Sequence, residues 1–287
     1  MFHKKSYKMD QKEKEMITAS VVLYDTKKDD IKRVINCAKS SSIDTIYLID
    51  NSHSDNLRGF CNTLSSKLEY IWGNGNVGYG KAHNIALVKA IENKAKYHVI
   101  LNPDIYFENG TIEAIADFMD SHINVGYVLP DVLYPDRTEQ YLCKLLPTPY
   151  DILSHRLLPK SLTKKRNDKF EMRATGYNKT RNVPILSGCF MFLRMDVIKQ
   201  VGLFDDRFFM YFEDFDLTRR IHQISKTVFY PKVQIIHNHA AEHRTSKILL
   251  KISIQSAIHY FNKWGWFIDK ERRYVNKHAF DDNNIIE

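Results

Sequence analysis

Residues 187–220 are SGCFMFLRMDVIKQVGLFDDRFFMYFEDFDLTRR, and this stretch decides how the rest of the chain is interpreted. Five carboxylates lie within twelve residues, among aromatic and apolar neighbours: Asp205, Asp206, Glu213, Asp214 and Asp216. Apolar surroundings remove water from a carboxylate and raise its pKa, which suits a general base or a metal site. The structural alternative is the first turn of a helix running to Arg220, where acidic side chains complement the helix dipole.

The composition sets limits on the class of protein. The 287 residues, 44% of them hydrophobic, suffice for one large domain or two small ones. A net charge of +8 favours an anionic partner: nucleic acid, an acidic membrane surface or a phosphorylated substrate. The basic residues are dispersed and no nucleic-acid motif occurs, which disfavours a nucleic-acid binder. Four cysteines without CxxC spacing predict a reducing, cytoplasmic compartment.

Neither a signal peptide nor a membrane span is expected. Residues 1–16 form a charged, basic tail without an apolar core, unlike a secretory signal. No run of eighteen apolar residues occurs along the chain, so the sequence predicts no transmembrane helix.

Short apolar segments alternate with segments of helical periodicity. The predicted strands are residues 18–24, 45–50, 68–72, 97–101 and 125–129. The predicted helices are residues 29–41, 57–64, 81–94 and 112–119. This alternation predicts an α/β fold with a mostly parallel sheet, in which ligands bind at the carboxyl ends of strands. Polar residues stand at several of those ends: Tyr24, Asp25, Asp50, Asn51, Asn102 and Asp104.

A glycine-rich loop, GNGNVGYG at residues 73–80, follows the third predicted strand. Glycines let backbone N–H groups approach a phosphate, and the helix that follows favours anions at its start. Gly73, Gly75 and Gly78 also match the dinucleotide fingerprint, so an NAD(P)-dependent oxidoreductase is the alternative function. Against it, the fingerprint belongs after the first strand, and the required acidic residue is missing. A plain tight turn is the structural interpretation.

Asn102-Pro103-Asp104 ends the fourth predicted strand. The proline stops the strand and fixes the backbone in front of the carboxylate. Asp104 is then either an ordinary turn aspartate or a ligand for a hard divalent cation that bridges a diphosphate.

In combination, these short motifs resemble family 2 of the inverting glycosyltransferases, which have the GT-A fold, and especially its rhamnosyltransferase-like branch. The resemblance covers roughly residues 17–265. The motifs that carry it are, in chain order, Val21–Asp25, Ile49–Ser52, Asn76–Gly78 with Asn84, Leu101–Asp104, Ser187–Phe190, Gly202–Asp205, and Phe209–Leu217 with Arg220.

The resemblance implies roles for the matching residues. Asp214, with Glu213 beside it, would be the catalytic base, and Asp50 would bind the pyrimidine of the donor. Asp104 and His237 would hold Mg²⁺ or Mn²⁺ against the diphosphate, with His239 as the alternative histidine. The nucleotide-sugar pocket would consist of Tyr24, Asp25, Asp50, Asn51, Asn76, Gly78, Asn84, Asn102 and Asp104. Support around the acceptor would come from Gly188, Asp205, Asp216 and Arg220.

Two positions depart from the family pattern, and one spatial condition must hold. Asn102 replaces the first carboxylate of the Asp-x-Asp common in the family, and Asp25 stands where asparagine is common. The hypothesis requires the Glu213-Asp214 pair to fold back against the sheet edge that carries Asp104.

The implied reaction is the inverting transfer of rhamnose or another hexose from a dTDP- or UDP-sugar to a glycan acceptor. The acceptor is expected to be linked to a lipid diphosphate, in the synthesis of a surface polysaccharide such as O-antigen or capsule. The implied layout is a GT-A domain at 17–245, with a nucleotide-binding half (17–130) and an acceptor and catalytic half (131–245). A basic helical extension follows at 246–287.

The extension contains a predicted helix at 246–264 with one apolar stripe. The stripe consists of Leu250, Ile254, Ala257, Ile258 and Phe261. Packing against the domain is the first explanation. The alternative is an anchor to anionic lipid, which would hold the protein at the inner face of the plasma membrane.

Overall fold

Three apolar segments of the first half form buried parallel strands, as expected for a sheet covered on both faces, and a fourth, residues 68–72, is a partly exposed edge strand. The computed structural model describes residues 15–152, 160–238 and 247–287. Strands β1 (Ile17–Leu23), β2 (Thr45–Asp50), β3 (Leu68–Trp72) and β4 (Tyr97–Leu101) pair in the order β3-β2-β1-β4, all parallel. Helices α1 (Lys28–Lys39), α2 (Arg58–Cys61) and α3 (Tyr79–Glu92) connect them.

The second half extends the same sheet. Beyond β4 the order is β10 (Phe190–Arg194), β6 (Val125–Leu133), β11 (Lys226–His237) and β5 (Ile105–Phe107), while β8 (Arg181–Asn182) also pairs with β11. Strand β10 is antiparallel to both neighbours, and β6 and β11 are parallel to each other. Among the described residues, six of the nine strands therefore run in one direction, which confirms a mostly parallel sheet in an α/β fold.

The remaining elements cover this sheet or extend from it. They are the ribbon of β7 (Cys143–Lys144) with β9 (Ile185–Leu186), and helices α4 (Thr111–Ser121), α5 (Lys160–Phe170), α6 (Met195–Val201), α7 (Glu213–Ile224), α8 (Lys247–Trp264) and α9 (Lys270–His278). Each helix within the described residues is too short or too polar to span a lipid bilayer.

Local patterns account for most of these elements. Helix α1 buries Ile31, Val34, Ile35 and Ala38, at the spacing that predicts it. Strand β6 runs four residues past its predicted end, through Pro130. Its pairing with β10 involves only Tyr127 and Val128, so the missing N–H of Pro130 interrupts no ladder on that side.

Helix α8 is present as predicted, but its buried face differs from the expected stripe. Ser253, Ser256, Tyr260 and Phe261 are buried. Leu250, Ile254 and Ile258 are 45%, 49% and 41% exposed. The prediction that the stripe packs against the domain is therefore wrong for these three residues. The helix contacts the domain through a different face, which carries Ser253, Ser256, Tyr260 and Phe261.

Candidate active site

Asp214 is the second residue of α7, and the backbone conformation just before that helix positions its carboxylate. Tyr211 and Phe212 have φ angles of 69° and 67°, a left-handed conformation that is uncommon for aromatic residues. The N–H of Gly188 donates to Asp214 Oδ2 and the N–H of Phe215 to Oδ1, each at 2.9 Å. A Cβ at residue 188 would lie 2.9 Å from the Cβ of Asp214, so the close approach requires glycine.

Burial raises the pKa of the Asp214 carboxyl, and the two N–H donors and the charge of Lys144 offset part of that rise. Glu213 is 5% exposed, and its Oε2 has no hydrogen-bond partner among the described residues. Burial and the charge of Asp214 raise the pKa of Glu213 well above its usual range. Because Asp214 has two N–H donors, it carries the negative charge of the pair and Glu213 carries the proton.

Asp104 and His237 meet where β5 pairs with the end of β11. His237 Nε2 lies 3.3 Å from Asp104 Oδ1, and its Nδ1 lies 3.0 Å from Gln140 Oε1. Gln140 also donates from its amide nitrogen to the His237 carbonyl at 2.8 Å. Gln140 thus orients the imidazole so that Nε2 faces Asp104, as outer-sphere partners do at metal sites.

This donor set fits a divalent cation. The Asn102 amide lies 3.4 Å from His237 Nε2, so an amide, a carboxylate and an imidazole converge. Burial alone would lower the pKa of His237, but Cys189 and Asp104 nearby raise it to about 10, so a bound cation would displace the proton from the imidazole. Among the described residues no three His, Cys, Asp or Glu side chains converge as metal ligands. His239, the alternative histidine, lies outside the described residues.

Tyr79 connects the Asp104 side of the site to the Asp214 side. Its hydroxyl lies 2.9 Å from Asn102 Oδ1 and 2.8 Å from the Gly188 carbonyl, and Gly188 in turn holds Asp214. Burial, together with the charges of Asp214 and Asp104, raises the pKa of this phenol well above its usual range. Tyr79 therefore links the strand end that carries Asn102 to the loop that holds Asp214.

The ends of β1 and β2 bring Tyr24, Asp25, Asp50 and Asn51 together. Asp50 is 1% exposed, and its oxygens accept from the Ser52 N–H at 2.9 Å and the Tyr70 hydroxyl at 2.5 Å. Asn51 donates to the Gly78 carbonyl at 3.3 Å, and the Asp25 N–H donates to Ser52 Oγ at 3.0 Å. Tyr24, 47% exposed, presents its ring at the surface. Asp50 therefore ties the end of β2 to the loop that follows it and to the neighbouring strand β3.

The glycine loop is shaped by a neighbouring segment of protein. Gly78 has φ 90°, and a Cβ there would lie 2.2 Å from the Phe209 carbonyl oxygen. That oxygen accepts from the Tyr79 N–H at 2.9 Å, and Asn76 accepts from the Gly78 N–H at 3.2 Å. Packing against residue 209 accounts for Gly78 without a dinucleotide.

Asn84 lies on α3, where its amide contacts the segment around Phe204. Its amide nitrogen donates to the Phe204 carbonyl at 2.9 Å and to Asp206 at 3.0 Å, and its oxygen accepts from the Phe204 N–H at 2.9 Å. The segment around Phe204 crosses α3 here and uses both ends of the amide. Asn84 therefore braces that segment, and its place in the nucleotide-sugar pocket stays a prediction.

The remaining acidic residues act as supports. Asp216 is fully buried and contacts Arg220 at 2.9 Å, Lys263 at 2.7 Å and Trp264 Nε1 at 2.8 Å. Arg220 also donates to the carbonyls of residues 201–203. Asp205 pairs with Arg207 and Lys263, and those hydrogen bonds hold the pKa of its carboxyl well below its usual range.

Sequence reasoning did not single out Tyr79, Gln140 or Tyr70. Tyr79 stands inside the glycine loop, where a large aromatic residue among small ones was a usable signal. Gln140 follows β6 in a segment without periodicity, and nothing local marks it. Tyr70 is one of two aromatic residues in β3, and its contact with Asp50 forms only when β3 pairs with β2.

An α/β sheet binds its ligands at the carboxyl ends of its strands, and here that edge gathers the Asp104–His237 pair and, through Tyr79 and Gly188, the Asp214 carboxylate. Residues 19–202 match the description "Glycosyl transferase family 2", and the chain belongs to that family. It is a glycosyltransferase. The match ends before Glu213, so the segment with the proposed base lies beyond it.

Curated relatives agree with the rhamnosyltransferase-like resemblance. The N-acetylglucosaminyl-diphospho-decaprenol L-rhamnosyltransferase of Mycobacterium tuberculosis is 25% identical over 211 residues, 68% of this chain and 67% of the relative. The rhamnosyltransferase WbbL of Escherichia coli K12 is 28% identical over 200 residues, 67% and 72% of the two chains. The low-salt glycan biosynthesis hexosyltransferase Agl10 of Haloferax volcanii is 26% identical over 224 residues, 76% and 66%.

Solved structures confirm the fold. GalNAc-T7 with UDP, GalNAc and Mn²⁺ superposes with a TM-score of 0.60 at 13% identity, over 87% of this chain and 50% of that one. The mannosyltransferase PcManGT of Pyrobaculum calidifontis, with GDP-Man and Mn²⁺, gives 0.55 at 16% identity, over 86% and 63%. This chain thus spans less than two thirds of either. The oxidoreductase alternative finds no support in the family or in these relatives.

Proposed function

We propose that the chain transfers a hexose, with rhamnose as the first candidate, from a dTDP- or UDP-sugar to a glycan acceptor, inverting the anomeric carbon. The observation that carries this proposal is the position of Asp214, a half-buried carboxylate held by two N–H groups and connected through Gly188, Tyr79 and Asn102 to the Asp104–His237 pair. The names of two curated relatives favour rhamnose.

Asp214 acts as the general base. It takes the proton of the acceptor hydroxyl while the hydroxyl oxygen attacks the anomeric carbon from the face opposite the diphosphate. The new C–O bond forms as the bond to the diphosphate oxygen breaks, and the electron pair leaves with the nucleoside diphosphate. Because burial raises the pKa of Asp214, it is a stronger base than an exposed aspartate. One displacement inverts the configuration, and no enzyme nucleophile is needed.

The donor nucleotide lies along the ends of β1, β2 and β4. The exposed ring of Tyr24 offers a stacking surface for the pyrimidine, and Asp50 holds that corner through Ser52 and Tyr70. Asn51 Oδ1 is buried without a hydrogen-bond partner among the described residues, so it can accept from the base or ribose. Asp25, Asn76, Gly78 and Asn102 complete the rim.

Asp104 and His237 would hold Mg²⁺ or Mn²⁺, and the bound cation would offset the charge of the diphosphate leaving group. Gln140 keeps the imidazole oriented, and Asn102 supplies an amide where the family commonly has a second carboxylate. A carboxylate with an imidazole suits Mn²⁺ at least as well as Mg²⁺.

The acceptor is a glycan on a lipid diphosphate, used in surface polysaccharide synthesis at the inner face of the plasma membrane. The name of the mycobacterial relative includes a diphospho-decaprenol, and the net charge of +8 suits an anionic acceptor. The donor residues fall within 17–130 and Asp214 within 131–245, which supports the division into a nucleotide-binding half and an acceptor and catalytic half.

A donor screen that detects released nucleoside diphosphate tests the proposal. Transfer with dTDP-rhamnose or a UDP-hexose, together with a divalent cation and a lipid-diphosphate acceptor, is the expected result. Asp214→Asn should lower turnover by about 10²–10⁴-fold while nucleotide binding is unchanged. Asp206→Asn, which removes an exposed carboxylate of the same stretch, is the matched control. Full turnover in Asp214→Asn would remove the base from the mechanism.

A further inference from the structure

The turn between α8 and α9 displays three large apolar side chains. Trp266, Phe267 and Ile268 are 37%, 80% and 77% exposed. Gly265 has φ 100°, and a Cβ there would lie 2.6 Å from the Ile268 carbonyl oxygen, so the turn is tight and requires glycine. Adjacent exposed apolar side chains of this size are typical of an interaction surface.

Buried ion pairs between α7 and the start of α9 hold this turn in place. Arg219, 1% exposed, contacts Asp269 at 2.9 Å and Glu271 at 2.6 Å, and its guanidinium lies 4.1 Å from the Trp264 ring centroid. Arg272 is also buried and donates to the carbonyls of Gly265 and Trp266 at 3.2 and 3.1 Å. The apolar side chains therefore point outward from an ordered base.

Charges are segregated around the turn. The exposed residues of α9 share one helix face at spacings of three and four: Lys270, Arg273, Tyr274 and Lys277. Within residues 265–278 the acidic residues are Asp269 and Glu271, and both pair with Arg219. An apolar tip therefore adjoins a basic face with a tyrosine that is 69% exposed. Exposed apolar side chains insert among the acyl chains of a bilayer, and basic side chains are attracted to anionic headgroups. Tyrosine favours the interface between the headgroups and the acyl chains.

We propose that this lipid-docking surface, made of Trp266, Phe267, Ile268, Lys270, Arg273, Tyr274 and Lys277, binds an anionic bilayer. Its purpose rests on the proposed function, since a lipid-linked acceptor is presented at a membrane. Lys263 and Trp264, which precede the turn, contact Asp216 of α7 at 2.7 and 2.8 Å. Docking thus fixes the height of Asp214 above the lipid surface.

Sedimentation of the full chain with vesicles tests this surface without donor or acceptor. We expect binding to phosphatidylcholine vesicles that contain phosphatidylglycerol, and much less binding to phosphatidylcholine alone or at high salt. Phe267→Ser with Ile268→Ser should weaken binding by about tenfold or more. Ile123→Ser, which removes a side chain that is 84% exposed elsewhere, is the matched control and should bind as the parent does.

The outcomes separate this inference from the proposed function. Transfer to a water-soluble acceptor should be unchanged in the double variant, and vesicle binding can be present even if no sugar is transferred. Three results would overturn the inference: no binding of the parent at low salt, equal binding to neutral and anionic vesicles, or unchanged binding of the double variant. A concentration-dependent dimer that the double variant abolishes would assign the surface to a second copy instead.

Discussion

Glu213 and Asp214 are neighbours in the sequence, yet their surroundings give them opposite protonation states. Both are removed from water, which raises the pKa of each carboxyl. The N–H groups of Gly188 and Phe215 stabilise the charge of Asp214. Glu213 Oε2 has no partner among the described residues, and the charge of Asp214 favours its protonated form. A pair whose environments separate its pKa values is how acid and base roles are assigned.

The first prediction concerns Glu213→Gln, which should keep activity within about tenfold, because the amide replaces a group that is already neutral. Asp214 works in its ionised form, so kcat/KM should be full above its pKa and fall as the pH drops through it. Since burial raises that pKa, the fall should begin above the ordinary value of about 3.9. Profiles of kcat/KM between pH 4 and 8 measure this. A large downward shift of the acid limb in the variant would show that Glu213 is charged.

The second prediction concerns Tyr79→Phe. Removing the hydroxyl breaks the hydrogen bonds to Asn102 and to the Gly188 carbonyl. Asp214, which Gly188 holds, then loses its fixed position relative to Asn102 and Asp104. We expect kcat to fall by about tenfold with little change in the KM for the donor, since misplacement of a base acts on the chemical step. Tyr47→Phe, which removes a hydroxyl of β2 that accepts from Asn93 after α3, is the control. Equal losses in both variants would make Tyr79 merely structural.

At the scale of elements, α7 and α8 are joined by a buried carboxylate. Asp216 is fully buried and contacts Arg220, Lys263 and Trp264. Asp216→Asn should lower the free energy of unfolding by about 3–5 kcal/mol, because two cations then lose the buried carboxylate. Asp196→Asn removes a surface pair with Lys199 and should change it by about 0.5 kcal/mol at most. Urea unfolding measures both. Similar small losses would mean that α8 is not fixed through Asp216.

Periodicity in the sequence predicts the elements better than it predicts their faces. The bounds of β2, β3 and β4 and the buried face of α1 follow from local patterns. The buried face of α8 does not, because its serines are buried where the helix meets the domain, while Leu250 and Ile254 are exposed. Hydrophobicity alone ranks those residues in the opposite order.

The candidate site divides in the same way. Asp104 and Asp214 stand in short motifs that mark them, whereas Gln140 acquires its contact with His237 across 97 residues of chain. The bracing role of Asn84 depends on the path of a segment 120 residues away. Such contacts arise when the sheet and its helices assemble, so no local pattern contains them.

At the scale of the molecule, β1, β4 and α3 share a polar network inside the apolar core. Ser20 Oγ lies 2.7 Å from His83 Nδ1 and 2.8 Å from His98 Nε2, and Thr18 Oγ1 lies 2.8 Å from His98 Nδ1. All four side chains are fully buried. Burial lowers the pKa of His98 to about 3 and that of His83 well below its usual range. Both histidines are therefore neutral in the folded protein.

The last prediction follows from that neutrality. Unfolded histidines bind protons below about pH 6.5, whereas folded His98 does so only near 3, so its stabilisation is complete above pH 6.5 and declines as the pH falls. The loss should be about 1.4 kcal/mol per pH unit for His98. Burial and Asp131 raise the pKa of Glu139 to about 8, so Glu139 stabilises the folded protein as the pH falls and opposes the effect of His98. The contribution of His98 must therefore be measured as the difference in stability between the parent and a His98 variant. The measurement is the urea midpoint of the parent and of His98→Gln between pH 7 and 5. The two midpoints should converge as the pH falls. A constant difference between them would show that His98 is not held neutral.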